Sequence, residues 1–294
     1  MYINEKRISL KFMILVLKKG RFGNQIFQYM ALRNLYPKHK IVFFGFDDLP
    51  NNLVGLVGCF IRMPTLKGII TSGRLNRIIN LLSNLRLIGR ICESYQGNVY
   101  KISKRRGVLF FLYVSQRNYF QNNKVFRTFD SAPLLKSEVR SIAEKWLSCS
   151  TKKHPNYKRV FVHIRRGDFL LWPNRENPAV LDLNWYTTAM ERFRSNYGSI
   201  LFILITNDVD YCAKVFSGFD DVVLSENSYE VDFAIMSCCK GGILSASTFS
   251  WWGAFYSKMF NQDNLLYVAP RYWIGHRSKK WHPEGIKTDW LTYQ

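Results

Sequence analysis

The sequence predicts an α/β protein whose second half is a doubly wound parallel sheet. Three observations lead there. From Arg159 to Pro270, apolar strand-like runs alternate with helix-like segments, the pattern of parallel strands joined by helical crossovers. The first half opens with the same unit, an apolar run, a glycine turn and a helix, in "FMILVLKKGRFGNQIFQYMALRNL". The 294 residues, 47% hydrophobic and 16% aromatic, suffice for two Rossmann-like domains, expected at 1–154 and 155–294.

In order, "FMILVL" (12–17) reads as the first core strand. It is too short for a signal-peptide core, because Lys18 and Lys19 follow at once and no small-residue cleavage site appears. No segment reaches the roughly 18 apolar residues a membrane span needs. A helix with Ile26, Phe27, Met30, Ala31 and Leu32 on one side comes next, then a strand in "KIVFFGF" (40–46). "RLNRIINLLSNLRLIGRI" (74–91) has helical spacing throughout. "RRGVLFFLYVSQRNYFQNNKVF" gives a strand and an aromatic loop, "SEVRSIAEKWLSC" (137–149) a helix, and "STKKHPNYKR" a linker.

The second half is more regular. "RVFVHIRRGDF", "ILFILITND", "DVVLSE", "GILSAS" and "NLLYVAP" read as strands; "NWYTTAMERFRSNYG", "YCAKVF", "YEVDFAIMSCCKG" and "TFSWWGAFYSKMF" read as the helices between them. Val160, Phe161, Val162 and Ile164 suit a strand covered on both faces. That strand then delivers His163, Arg165, Arg166, Gly167 and Asp168 to the rim of the sheet, where ligands of open α/β sheets bind. A salt-bridged strand end is the competing explanation.

A second turn bears on the choice. Ser247, Thr248, Phe249 and Ser250 open a helix directly after a strand. Free N–H groups and the dipole at a helix start attract anions, and the hydroxyls add donors. An ordinary Ser/Thr cap gives the same pattern. An arginine fork and a helix start on one rim, however, make a phosphate or diphosphate site. Trp251 and Trp252 read as core. Asn207 and Asp208 end a third strand on this rim, where they either contact a base or ribose or form an Asx turn. Asp232, inside an apolar helix, either reaches the nucleotide or is a solvated helix residue. In the first half Gly20 and Gly23 allow a close backbone approach, with Asn24 and Gln25 opening the helix.

Together "GRFGNQIFQY", "YFQNNKVF", "HIRRGDF", "LFILITND" and "SASTFSWWGAF" resemble the bacterial α1,2-fucosyltransferases of glycosyltransferase family 11 over nearly the whole chain. The resemblance implies a GT-B fold with two domains facing a cleft, the first on the acceptor side and the second binding the donor. It further implies GDP-fucose as donor, inversion at the anomeric carbon, and no metal or other cofactor; the expected acceptor is a galactose-containing oligosaccharide, free or lipid-linked. No D-x-D run was expected in a loop where it would hold a divalent cation. The chain departs from the family pattern at Arg21 and Phe22, and at Gly241, Gly242 and Ala246, where the family has His, Asn and Asn; these positions bear on donor contacts.

On this reading one of Arg165 and Arg166 takes the leaving diphosphate, with Ser247, Thr248 and the helix start on the same phosphates. Gly23, Asn24 and Gln25 close the site from the first domain. Asp168 is the expected general base and His163 the second candidate, each with a structural alternative. A transferase of another linkage, such as an α1,6-fucosyltransferase, and a non-catalytic sugar-nucleotide binder stay open.

Lys plus Arg is 42 against 21 for Asp plus Glu, a formal net charge of +21. Such a chain expects an acidic partner. A nucleic-acid partner, the third alternative and one suggested by the charge alone, is not expected, because the basic residues are interleaved with no recognisable nucleic-acid-binding motif. An anionic membrane surface is the expected partner besides the donor, and the cytoplasm the expected compartment. The six cysteines, with no C-x-x-C pair, are expected as reduced thiols rather than metal ligands.

Overall fold

The computed structural model describes residues 12–62, 72–96, 99–115, 118–122, 132–274, 277, 279–280 and 284–294. The end of "YFQNNKVF" lies outside them. The chain forms two compact units, Met1–Gln121 and Asn122–Gln294. The break thus falls well before the 154/155 boundary expected from the linker-like "STKKHPNYKR". The intervening helix packs on a helix of the second unit and belongs there.

The first unit runs β1 (Met13–Leu17), α1 (Phe22–Leu35), β2 (Lys40–Phe44), α2 (Asp48–Asn52), β3 (Leu53–Val54), β4 (Cys59–Ile61), α3 (Ser72–Asn84), β5 (Ile88–Gln96), β6 (Val99–Arg105) and β7 (Leu109–Ser115). Its main sheet has the order β4-β2-β1-β7-β5-β6, parallel except where β5 meets β6. The helix expected over 74–91 ends at Asn84. Arg86 then adopts a left-handed φ of 57°, and β5 starts at Ile88. Leu81, Leu85 and Ile88 keep helical spacing across this break, so the sequence pattern alone does not reveal it.

The second unit runs β8 (Leu134–Leu135), α4 (Ser137–Ser150), β9 (Lys158–Ile164), α5 (Leu183–Tyr197), β10 (Ile200–Thr206), α6 (Val209–Val215), β11 (Val222–Leu224), α7 (Tyr229–Cys238), β12 (Gly241–Ile243), α8 (Thr248–Phe260), β13 (Tyr267–Ala269) and β14 (Thr292–Tyr293). The six strands from β9 form one parallel sheet in the order β11-β10-β9-β12-β13-β14. This is the doubly wound order, and its reversal point lies between β9 and β12. Val160, Val162 and Ile164 of β9 pack with Phe202 and Leu204 of β10 against Tyr186, Met190 and Phe193 of α5. Helices α7 and α8 pack on each other, α7 against β9 and α8 against β12. Trp251 and Trp252 are fully buried, as expected of core residues.

All six cysteines are free thiols. Among the described residues, no helix is long and apolar enough to cross a membrane.

Candidate active site

Strand β9 stops at Ile164, and the next four residues fold over the carboxyl end of the sheet. Gly167 holds φ at +41°, and a Cβ there would sit 2.6 Å from Asn207 Nδ2. Glycine is required on both counts. Asn207, just past β10, accepts a hydrogen bond of 2.8 Å from the Arg166 N–H and pins the turn to the neighbouring strand.

The two arginines leave this turn in different company. The Arg165 guanidinium grips Asp168 through Nε at 3.2 Å and Nη2 at 2.7 Å, lies 4.5 Å over the Phe169 ring, and donates through Nη1 to Ser247 Oγ at 3.3 Å. The Asp168 side chain is about half exposed, so the pair adds only about 0–1 kcal/mol to stability. Its effect is to aim the cation at the start of α8. Arg166 turns to the other side, its Nε donating to Asp208 Oδ2 at 2.9 Å and its guanidinium 3.4 Å over the Tyr211 ring. Asp208 also caps α6, accepting from the Tyr211 N–H at 3.3 Å. Asn207 and Asp208 therefore both serve Arg166 and its turn.

One D-x-D spacing occurs, Asp208-Val209-Asp210. It lies at the start of α6, not in an open loop, and its first carboxylate is engaged by Arg166. Among the described residues no three His, Cys, Asp or Glu side chains cluster as metal ligands would.

Ser247 is the N-cap of α8, and its Oγ accepts from the Phe249 N–H at 3.3 Å as well as from Arg165. Both bonds use lone pairs, so the hydroxyl proton remains a donor. Thr248 begins the helix, partly exposed. Since β9 and β12 are hydrogen-bonded neighbours, Arg165, Ser247 and the first turn of α8 converge at the reversal point of the sheet. A helix start beside a fixed guanidinium is an anion site by charge and by N–H geometry.

Three other expected residues lie beneath or behind this rim. His163 is buried and hydrogen-bonded to Ser245 Oγ at 2.7 Å. Burial, reinforced by the Arg165 charge, pushes its pKa down to about 3, so the ring is neutral and ties β9 to the end of β12. It has no geometry for taking an acceptor proton. Ser250 is fully buried and donates to the carbonyls of Ser245 and Ser247, bracing the cap rather than facing the rim. Asp232 of α7 is buried too, accepting from Ser225 Oγ at 2.5 Å, and burial lifts its pKa to about 7. Phe249 is partly exposed and bridges the two regions, its ring 5.5 Å from both His163 and Phe233.

The family departures resolve in part. Gly241 and Gly242 lie inside buried β12, where a Cβ on Gly242 would come within 2.2 Å of the Phe161 ring and one on Gly241 within 2.7 Å of the Leu266 carbonyl. They are packing positions in this chain. Ala246 alone of the three lies in the loop leading to α8.

In the first unit, Gly20 has φ +80°, and a Cβ there would collide with Asn24 Nδ2 at 2.2 Å. Asn24 Oδ1 accepts from Gln121 Nε2 at 2.6 Å. Gly23 and Gln25 are buried in α1, Gln25 donating to Asp48 Oδ2 at 2.5 Å. Asn24 thus faces the carboxyl rim of this sheet, whereas Gly23 and Gln25 hold the helix in place. The partner loop is set by Glu93, which accepts from the N–H groups of Tyr119 and Phe120. The sequence gives no sign of Phe169, Tyr211, Glu93 and Gln121 as parts of these arrangements. Only their tertiary partners give them a role, and a linear pattern shows none of these.

The family described as Glycosyl transferase family 11 matches residues 82–293. An Escherichia coli alpha-1,2-colitosyltransferase is 27% identical over 208 residues, 67% of each chain. The Escherichia coli O-antigen biosynthesis glycosyltransferase WbnK is 25% identical over 295 residues, 88% of this chain and 94% of that one. Human galactoside alpha-(1,2)-fucosyltransferase 1 is 26% identical over 252 residues, 82% of this chain and 64% of that one. Among solved structures, POFUT1 in complex with GDP-fucose superposes with a TM-score of 0.55 at 13% identity, covering 88% of this chain and 98% of that one. That likeness bears on the fold alone, which is GT-B-like.

Proposed function

The chain belongs to glycosyl transferase family 11, and from that premise we propose that it moves L-fucose from GDP-fucose to the 2-hydroxyl of a terminal galactoside, with inversion, in the synthesis of a surface polysaccharide. The observation that carries the reading is Arg165, locked by Asp168 and Phe169 against Ser247 at the start of α8. As the bond from sugar to diphosphate breaks, negative charge grows on the leaving group. Fixed donors already aimed at that charge are commonly the largest protein contribution to rate.

Arg165, the Ser247 hydroxyl and the first turn of α8 take the diphosphate. Arg166 braces the turn from the β10 side. Thr248 adds a hydroxyl at the helix start. The positive charge is built into the chain, so the reaction needs no divalent cation. Asp168, half exposed next to Arg165, takes the proton of the acceptor hydroxyl. Its replacement by Asn keeps an oxygen for Arg165 and removes the base. Asp168→Asn should cut kcat by on the order of a hundredfold or more with KM for the donor little changed; an unaltered kcat removes Asp168 from that role.

A second donor has a specific observation behind it. The E. coli relative matched over two thirds of the chain is named a colitosyltransferase, and Ala246 replaces the family's Asn in the loop before α8. The deciding experiment offers GDP-fucose, GDP-colitose and UDP-sugars with a set of galactosides, and determines the product linkage. Transfer of fucose in α1,2 linkage is expected. An α1,6 product, or binding without turnover on any acceptor, overturns the assignment. We infer also that the enzyme works at an anionic membrane face on a lipid-linked acceptor.

A further inference from the structure

Helix α3 carries two apolar stripes. Leu75, Ile79 and Leu82 pack on Leu17, Ile88 and Val114. Ile78, Leu81 and Leu85 are 48%, 58% and 60% exposed, and Arg74 and Arg77 are exposed with them. Positions 74, 78 and 81 follow one another up a single helix face, and Leu85, its N–H bonded to the Leu81 carbonyl at 2.9 Å, extends that line into the turn after the helix.

This face continues into a second element. The Val108 N–H donates to the Arg86 carbonyl at 2.7 Å and the Leu109 N–H to the Leu87 carbonyl at 2.8 Å, so the turn before β7 is fastened to the turn after α3. The Arg105 guanidinium reaches back to Ser83 at the end of the helix. Val108 is 72% exposed and Phe110 44% exposed, with Arg106 5.6 Å over the Phe110 ring. The two turns therefore lie together at the amino ends of β5 and β7, on the rim opposite Gly20 and Asn24.

Its charge is one-sided. Between Ser72 and Phe111 stand Arg74, Arg77, Arg86, Arg90, Lys101, Lys104, Arg105 and Arg106 against a single acid, Glu93. Glu93 is turned to the N–H groups of Tyr119 and Phe120. All eight except the half-buried Arg90 are exposed.

We propose that this surface docks on an anionic lipid bilayer, Ile78, Leu81, Leu85, Val108 and Phe110 entering the headgroup boundary while the surrounding arginines meet lipid phosphates. Interfacial helices combine an apolar face with flanking Arg and Lys in this way. Two copies of so cationic a face repel each other, which disfavours self-association through it. The proposal names the surface behind the membrane reading above. It is tested without turnover, so its outcome is independent of donor and linkage.

The experiment is co-sedimentation of the full chain with phosphatidylcholine vesicles, with and without phosphatidylglycerol, across a salt series. Binding should require phosphatidylglycerol and weaken as salt rises. Each basic residue near an anionic leaflet contributes about fivefold in affinity. The triple variant Arg74→Gln, Arg77→Gln, Arg106→Gln should therefore bind on the order of a hundredfold more weakly. Leu81→Glu with Leu85→Glu should abolish pelleting while circular dichroism and donor binding stay as in the parent. Equal binding to both vesicle types overturns the proposal, as does undiminished binding of the folded variants. So does a leucine variant that alters only the sedimentation coefficient of the protein alone, or only its capture by an acidic protein.

Discussion

Arg165 Nη1 lies 3.3 Å from Ser247 Oγ across 82 positions of sequence, and the same arginine is clamped by Asp168 three residues away. The local clamp sets the direction of the cation; the distant serine supplies the helix start at which it points. The cation and the helix start that the proposed diphosphate site requires are therefore already held together by the chain itself. Arg165→Ala should lower kcat by about two to three orders of magnitude, the range found when one donor to a developing anion is removed. Arg166→Ala should also cost heavily, because the turn loses its tie to Asp208 and Tyr211. Steady-state kinetics on folded variants decides; two near-normal rates would remove the arginines from catalysis.

Arginine at these positions is not replaceable by lysine. Arg165 holds Asp168 through two nitrogens and stacks on Phe169, and an ammonium does neither with the same geometry. Gly167 is as tightly specified. Gly167→Ala forces a Cβ toward Asn207 Nδ2 from a left-handed backbone, at a cost of about 1–3 kcal/mol. Thermal denaturation should show the loss, and isothermal titration should show weaker GDP binding, since Asn207 would release the Arg166 N–H. A variant with parental melting and affinity would show that the turn tolerates a side chain.

Activity should withstand EDTA. The first carboxylate of the one D-x-D spacing caps α6 and pairs with Arg166, and on the proposed reading Arg165 supplies the positive charge at the leaving group instead. Rates measured after chelation and dialysis should match untreated enzyme within about twofold. Loss of turnover that manganese or magnesium restores would overturn the metal-free reading.

Asp232 predicts an unusual pH dependence. Its ordinary pKa of 3.8 is raised by burial to about 7, so between these values the folded chain binds a proton the unfolded chain does not. The stabilising effect of that proton is full below the ordinary value and is lost as pH rises toward 7. Asp232→Asn still offers Ser225 an acceptor and carries no charge. Denaturant unfolding should show the variant gaining on the parent from about pH 5 to 8 by on the order of 3 kcal/mol. A constant difference across that range would mean the carboxyl titrates as it would in water.

The second unit was legible because its strands are parallel and covered on both faces. Phe202, Ile203 and Leu204 form an unbroken apolar run, and polar residues begin where the strand stops. The rim residues Arg165, Arg166, Asp168, Ser247 and Thr248 could be read there for the same reason. The first unit hid its antiparallel β5–β6 pair, because Ile88 continues the helical spacing of Leu81 and Leu85 and the break rests on the φ of Arg86. His163 lies near a strand end and Ser250 in the first turn of a helix, both positions that suit a site, while burial and partners, which only packing sets, tie them into the scaffold.

The strand order β11-β10-β9-β12 carries a consequence for biosynthesis. During synthesis β9, β10 and β11 emerge consecutively and can pair at once, while the other edge of β9 waits for Gly241–Ile243. At ordinary ribosomal speed that wait lasts on the order of ten seconds. Throughout it the nascent chain presents an apolar, unpaired strand edge, the kind that recruits foreign strands. Arrival of β12 closes the edge and, through the same turn, brings Ser247 to Arg165. Truncation before β12 should therefore yield a chain that aggregates, rather than a soluble half-site.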